Sequence, residues 1–536
     1  MTVVLLALTF GINLFFWSTV GILRWISARV ARAPRSTGSR VRPHQVAVLV
    51  AAHNEERGVA DTVAAALRLV PRGNVFVVSD GSRDATVDQA AAAGAVVYDL
   101  QPNRGKAGAL AAGIEHFDLA GRFEVMMLLD ADTLPADDYL ETGLPMFDDP
   151  DVVAVAGHAS TIWDREDRLG LLGQVLRAYR ERVYVAFQLL LKYGQAARHT
   201  DSVMIVPGFA SMYRTRVLEF IDIAAPGLAI EDFNMTFEVH RKRLGRVAFH
   251  PGSATAYTQD PHILKDYVKQ VGRWSLGFWQ TVRRHGLHRG RFWLATAAYV
   301  LELLTSSVMF VLLGPALLLT VVAVTWVGVH GVHGPVDEAF VGIITALPLR
   351  DYLLGVVVPD YLLTIFVAIR QRRPAYLLLG LAFLPLRCLD AVLCLRALWR
   401  SRSAHSAGTW TSPTRRGVAP VAVDSAPTVM MAVIPNQGVT PIPTEVSRRA
   451  AAPVSAYSAP VTVPAQRAAT ALLDAPTVVL PRVDYGGQEW CAAEPDTTQP
   501  IALSPGRAPG TGRWTFEPDS DRYVWFPANG ASYSRQ

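Results

Sequence analysis

The sequence predicts an α/β fold: one domain with a mainly parallel sheet, embedded in an α-helical transmembrane bundle and followed by a disordered tail. Three observations lead there. Short apolar runs alternate with helical spacing between residues 45 and 290. Apolar blocks of membrane length flank that region. Residues 401–536 are rich in Pro, Ala, Ser and Thr and contain no lysine. Of the 536 residues, 51% are hydrophobic and 18% charged, against about 25% charged in an ordinary soluble domain. This excludes a disordered chain, a collagen-like chain and a plain cytosolic enzyme. Cys388, Cys394 and Cys491 are too few for a disulfide scaffold and have no zinc spacing. The arginines cluster beside apolar runs, as topology determinants do, so no nucleic-acid partner is expected.

Residues 1–24 hold the first apolar segment, uninterrupted from Val3 to Leu23. It has the length of a membrane span and exceeds the roughly 7–15 residues of a signal-peptide core. Arg24, Arg29, Arg32, Arg35, Arg40 and Arg42 follow, which predicts an outward N-terminus and a cytosolic domain after it. Residues 45–290 form that domain. Val46–Ala51, Val75–Ser79, Val96–Tyr98 and Val125–Leu129 read as strands, with helical spacing over Gly58–Val70. In such a sheet the ligand site lies at the carboxyl ends of the strands. Residues 291–400 return to the membrane. Phe292–Val332 is expected as a hairpin broken at Gly314-Pro315, Asp337–Asp351 as interfacial, and Tyr352–Ile369 and Ala375–Leu398 as further spans. The tail, residues 401–536, cannot bury enough apolar surface to fold. Its aromatic stretch Trp514–Phe526 is either a docking segment for an envelope or regulatory protein or a chance run.

The chemistry falls at strand ends. Asp80-Gly81-Ser82 follows the second strand; a carboxylate there can accept a hydrogen bond from a base or ribose, although Asp-Gly is also a common turn. Asp130-Ala131-Asp132 places two carboxylates about one turn, suited to a divalent ion or to helix capping. Lys106 sits among glycines in Asn103-Arg104-Gly105-Lys106-Ala107-Gly108, a phosphate-compatible loop that is not a Walker A motif. Glu231-Asp232 opens a helical run, where Asp232 is either a dipole-stabilised carboxylate or a general base. Gln270, Arg273 and Trp274 share a helical face, and an arginine beside an indole suits a diphosphate next to a sugar.

Taken in order, His53-Asn54-Glu55-Glu56, Asp80-Gly81-Ser82, Gly105-Lys106, Asp130-Ala131-Asp132, Glu231-Asp232 and Gln270-Val271-Gly272-Arg273-Trp274 resemble the family 2 glycosyltransferases. Within them they look like the processive membrane synthases of hyaluronan, chitin oligosaccharide, cellulose and poly-N-acetylglucosamine. The resemblance covers roughly residues 1–400. It implies a nucleotide-sugar-binding, Rossmann-like A-type domain and an inverting, metal-dependent hexosyltransferase that extends a β-linked glycan from a UDP-sugar. It implies Asn54, Glu55, Asp80, Lys106 and Asp130 around the nucleotide sugar, and Asp132 on Mg²⁺ or Mn²⁺. Asp232 would be the general base, with Gln270, Arg273 and Trp274 at the diphosphate and acceptor. Two departures stand out: Ala51-Ala52-His53-Asn54-Glu55 where the family has P-x-Y-N-E, and Ile230-Glu231-Asp232 where it has T-E-D. Val206–Arg214 resembles the family's acceptor-side segment.

Glu302, Arg387 and Asp390 lie inside predicted spans, either lining a polysaccharide path or, for Arg387 and Asp390, forming a structural pair. Five spans are expected, with the tail cytosolic; four would place Arg370, Arg372 and Arg373 inside and the tail outside. Two other functions fit parts of the chain: a non-processive transferase acting on a lipid carrier, and a silent membrane scaffold whose tail recruits partners.

Overall fold

The computed structural model describes residues 1–30, 39–163, 169–404, 512–517, 522–527 and 533–534. The chain forms two units, Met1–Asp424 and Ser425–Gln536. Among its described residues the first contains ten strands: β1 (Val46–Ala52), β2 (Val75–Asp80), β3 (Val96–Leu100), β4 (Val125–Asp130), β5 (Leu134–Pro135), β6 (Val152–Ala156), β7 (His158–Thr161), β8 (Ala210–Arg214), β9 (Arg246–Ala248) and β10 (Thr255–Thr258). Seven of them make one sheet in the order β3-β2-β1-β4-β8-β6-β9, and β5-β10-β7 make a second. β1 to β4 are mutually parallel, and β8 runs antiparallel to both β4 and β6.

The alternation along each strand explains the layering. Val46, Val48 and Val50 of β1 join Val125, Met127 and Leu129 of β4 in one core. Ala47, Leu49 and Ala51 join Met126 and Leu128 in the other. Every residue of β1 is buried, because both faces of a parallel sheet are covered. The helix Gly105–His116 lies so close to the sheet that a Cβ at Gly113 would stand 2.6 Å from Val78 and 3.0 Å from Leu49. Register then aligns the strand ends, pairing Ala52 with Ser79 and Ala51 with Asp130. The strand order reverses between β1 and β4, the place where open α/β sheets bind ligands.

Among the described residues, three helices are long and apolar enough to cross a membrane: Arg291–His330, Pro335–Gln371 and Tyr376–Arg400. The pair Thr2–Phe10 and Ile12–Arg29, bent by 60°, makes a fourth if counted as one span. The expected hairpin within 292–332 is corrected: Arg291–His330 is one 40-residue helix with Pro315 inside. A proline within an apolar helix removes one hydrogen bond and need not turn the chain back. Pro335–Ala346 is helical, its start held by Asp337, whose carboxylate accepts the N–H groups of His333 and Gly334 at 2.9 and 3.0 Å.

The membrane-region charges have different partners from those expected. Arg387 and Asp390 do not pair with each other. Arg387 donates to Asp360 at 2.9 Å and to the Thr9 carbonyl at 2.7 Å. Arg182 takes the other Asp360 oxygen at 3.0 Å. Asp390 accepts the hydroxyls of Tyr179 at 2.9 Å and Tyr267 at 2.6 Å. Glu302 accepts the Asn13 backbone N–H at 2.8 Å and its side-chain amide at 3.0 Å, which caps the helix that restarts after Gly11. Sequence spacing favoured an i, i+3 pair; packing brought better partners from other helices. Breaking a buried ion pair from one side costs about 3 kcal/mol or more. Arg387→Gln should therefore lower the thermal midpoint clearly, and exchanging the residues at 387 and 390 should not restore it. Rescue by that exchange, read by thermal unfolding in detergent, would contradict these pairings.

In the second unit, Gly512–Glu517, Arg522–Pro527 and Tyr533–Ser534 form an antiparallel three-stranded sheet. The expectation of a disordered tail falls mostly outside the described residues; at these positions it is corrected to strand. Alternating aromatic and polar residues on either side of a turn sequence make a hairpin signal, which the composition of the whole tail had masked.

Candidate active site

The site grows from the aligned ends of β1, β2 and β4. Beyond β1 the chain turns through Asn54, whose positive φ of 54° an asparagine tolerates. The Asn54 side-chain oxygen accepts the Arg83 N–H at 2.9 Å, and the Glu55 N–H donates to Thr86 at 2.8 Å. Both residues are thus pinned to the loop after β2. His53 Nδ1 lies 2.6 Å from the Asp80 carbonyl.

Asp80 itself is fully buried at the end of β2. One carboxylate oxygen accepts the Arg104 N–H at 2.7 Å, and the other has no hydrogen-bond partner in the protein. Burial pushes its pKa up, opposed by the backbone N–H groups of Arg104 and Gly105. A buried, half-satisfied carboxylate can accept a donor from a ligand. The loop carrying Arg104 was read from sequence only for its lysine; its role in fixing Asp80 went unseen because a backbone N–H leaves no side-chain signal.

A second cluster forms where β4 faces the helix Glu231–Arg241. Lys106 Nζ lies 2.7 Å from Asp130 Oδ1 and 2.9 Å from Glu231 Oε1. Burial alone would lower the lysine pKa; the carboxylates of Asp130, Glu231 and Asp232 outweigh that and hold it well above its ordinary value. Asp232 accepts the Gly208 N–H at 2.7 Å through one oxygen, and its other oxygen has no hydrogen-bond partner. Burial and the neighbouring Glu231 push the Asp232 carboxyl up to about 8, against the pull of Lys106. Gly208 permits this approach, since a Cβ there would collide with Asp232 and stand 3.0 Å from Lys106. The glycine lies in the Val206–Arg214 segment, but its reason is visible only in three dimensions.

Asp132 lies half-buried two residues beyond β4. Hard divalent cations take carboxylate and phosphate oxygens, so two carboxylates on one turn fit such an ion. Among the described residues no group of three or more His, Cys, Asp or Glu side chains is arranged to hold a metal alone. The remaining oxygens would have to come from the ligand.

Gln270, Arg273 and Trp274 lie on the helix Leu264–His285. That helix packs Gly277 on Ile230, where a Cβ would meet the isoleucine at 2.9 Å, and Gln280 accepts the Ala229 N–H at 2.8 Å. The motif therefore sits about one turn before the contact that leads into Glu231-Asp232. Gln270 keeps a buried side-chain oxygen without a hydrogen-bond partner, Arg273 is exposed, and Trp274 lies half-buried beneath Arg180 at 4.2 Å. Arg180 was not singled out from the sequence, where nothing distinguishes it from the arginines around it.

Residues 43–277 match the family described as "Glycosyltransferase like family 2". The poly-β-1,6-N-acetyl-D-glucosamine synthase of Staphylococcus epidermidis is 24% identical over 262 residues, 44% of this chain and 57% of that protein. The corresponding synthase of Staphylococcus aureus (strain COL) is 24% identical over 245 residues, 43% and 54% respectively. The chain thus spans little more than half the length of these curated relatives. Among solved structures, the mannosyltransferase PcManGT from Pyrobaculum calidifontis, in complex with GDP-Man and Mn²⁺, has 17% identity and a TM-score of 0.43, covering 75% of this chain and 98% of its own. Glucosyl-3-phosphoglycerate synthase from Mycobacterium tuberculosis has 15% identity and a TM-score of 0.30, covering 46% and 82%.

Proposed function

From a chain whose residues 43–277 match the glycosyltransferases of family 2, we infer a multi-pass enzyme of the cell membrane with its catalytic domain in the cytosol. It is an inverting hexosyltransferase that uses a UDP-sugar to extend a β-linked cell-envelope or extracellular polysaccharide processively. The observation that carries this is the convergence of Asp130, Lys106, Glu231 and Asp232 at the carboxyl end of the sheet.

Asp80 accepts from the uridine, with Asn54 and Glu55 bordering that pocket. Lys106 and Arg273 supply positive charge to the diphosphate, and Gln270 offers its unpaired amide oxygen to a hydroxyl of the acceptor. Asp132, beside Asp130, would hold Mg²⁺ or Mn²⁺, which when bound neutralises diphosphate charge and favours its departure. An acceptor hydroxyl attacks the anomeric carbon while Asp232 takes its proton. The bond to the UDP oxygen breaks as the glycosidic bond forms. Glu231 is engaged by Lys106, so one base and no second nucleophile remain, which supports a single displacement with inversion.

Contacts support a topology with fewer spans than five. Arg373 lies 3.9 Å from Glu181 and 4.3 Å from the Trp163 ring, and Gln371 donates to Glu181 at 2.6 Å. These tie the end of Pro335–Gln371 to the catalytic domain. The last apolar helix starts beside that point and ends where Gln280 donates to the Ala404 carbonyl at 3.0 Å. Both its ends therefore meet elements of the catalytic domain, which supports putting Arg370, Arg372, Arg373, Arg396, Arg400 and Arg402 on the side of Arg24, in keeping with the positive-inside rule.

The test is incubation of purified protein with a panel of UDP-sugars and Mg²⁺ or Mn²⁺, followed by product sizing. The relatives' polymer puts UDP-N-acetylglucosamine first in the panel. Trp274→Ala tests processivity alongside: an indole face supports a sugar without fixing one hydrogen-bond register, so a chain end can rest and slide. The variant should lower polymer yield by about tenfold or more while donor hydrolysis persists. Polymer of normal length and yield from it would remove Trp274 from the acceptor site.

A further inference from the structure

We propose that Arg180 is a positioning residue for Trp274. It occupies one face of the indole and fixes the ring so that the opposite face is the platform for the acceptor sugar. This rests on the glycosyltransferase reading above, and it adds a residue that none of the sequence motifs contains.

The geometry is specific. Arg180 is 3% exposed, and its guanidinium carbon sits 4.2 Å from the Trp274 ring centre. Its Nη2 donates to the Tyr184 hydroxyl at 2.8 Å, and its Nε lies 3.5 Å from Asp260 Oδ1. Asp260 in turn accepts the hydroxyls of Tyr184 at 3.1 Å and Thr161 at 2.8 Å. The guanidinium is thus hydrogen-bonded to a buried phenol and ion-paired with a buried carboxylate, its Nε making no hydrogen bond, while its face meets the indole. A planar, delocalised cation is suited to stacking in a way an ammonium is not. Its attraction to an aromatic face also grows when water is excluded.

The support is rigid because the neighbouring residues anchor the same helix, Leu171–Ala186, elsewhere. Tyr179 donates to Asp390, Glu181 accepts from Trp163 at 2.7 Å, and Arg182 holds Asp360. Consecutive side chains thus fasten the helix to three other parts of the molecule while the fourth reaches the tryptophan. Trp274 is only half-buried, so Arg180 covers part of the ring and leaves part accessible. A platform that must hold successive sugars in one plane needs such backing, because its rotamer would otherwise be set by the substrate itself.

The experiment uses the full chain in detergent, with donor KM, acceptor KM, acceptor-independent UDP release and product length measured together. Arg180→Met should raise acceptor KM about ten- to thirtyfold, the range of a desolvated cation–π contact. Donor KM and UDP release should stay within about twofold, since a positioning residue acts only through the ring. Arg180→Lys keeps a cation over the indole and should recover much of the loss. Because Arg180→Met strands the Asp260 charge, the double variant Arg180→Met/Asp260→Asn is measured beside it and should show the same split between acceptor and donor. Normal acceptor KM in the folded double variant overturns the proposal. So does a parallel fall of donor binding and thermal midpoint that lysine fails to relieve, the mark of a purely structural residue. Wild-type protein that transfers from none of the UDP-sugars removes the functional reading, and the positioning role with it.

Discussion

Asp232→Asn should leave UDP binding near its wild-type value and cut turnover by on the order of 10²–10⁴-fold, the usual worth of a positioned general base. The asparagine keeps an oxygen for the Gly208 N–H, so the local backbone has no reason to move. It also removes a negative charge that burial and Glu231 both disfavour. Stability should hold or rise, which separates a chemical defect from a folding defect. The pH dependence has a definite sign. With its carboxyl pushed up to about 8, Asp232 carries a proton below that pH and cannot accept another. Wild-type turnover should therefore climb as pH rises toward that value, and the residual turnover of the variant should not. Stability runs the other way: between the ordinary carboxylate pKa of 3.8 and about 8, the folded state holds a proton that the unfolded chain has released. Stability of the wild type then falls as pH rises through that window, and the asparagine variant escapes this loss. Turnover within a few-fold of wild type in the folded variant would take Asp232 out of the mechanism.

The strand ends were legible because a parallel sheet leaves a strong trace. Val46–Ala51 and Val125–Leu129 are apolar on both faces, and the register sets Ala51 beside Asp130, so the polar residues that follow the two runs leave the sheet at the same end. The order of Asp80, Lys106, Asp130 and Asp232 along the chain likewise carried the family resemblance, which the match over residues 43–277 bears out. What the sequence did not carry is anything made by packing across long separations. The pairing of Lys106 with both Asp130 and Glu231 joins three segments. Spacing can nominate each residue but not their meeting. The membrane region makes the point in reverse: Arg387 and Asp390 looked like partners at i, i+3, yet Asp360, Tyr179 and Tyr267 arrive from other helices with contacts of 2.9, 2.9 and 2.6 Å. Gly314-Pro315 looked like a turn, yet the helix runs through it. Local signals decide strands and caps; an ionisable group in an apolar setting takes whichever partner the bundle delivers.

Removal of divalent metal should abolish UDP release, and Mg²⁺ or Mn²⁺ should restore it. Asp132→Ala should reproduce the loss and weaken UDP binding as well. The expectation follows from charge. The site already contains the carboxylates of Asp130 and Glu231, both engaged by Lys106. A nucleoside diphosphate entering there adds further negative charge, beyond what Arg273 and a lysine already paired with two carboxylates supply. A hard cation held there by carboxylate and phosphate oxygens would supply the missing charge. Asp132, two positions beyond the Asp130 that Lys106 already engages, is the residue proposed to share it. Truncating it should therefore act on binding and turnover together, unlike Asp232→Asn, which acts on turnover alone. Calorimetry with UDP, with and without Mn²⁺, reads the first effect, and UDP release from the donor reads the second. Full activity in chelator, or metal-dependent UDP binding undiminished in Asp132→Ala, would defeat the assignment.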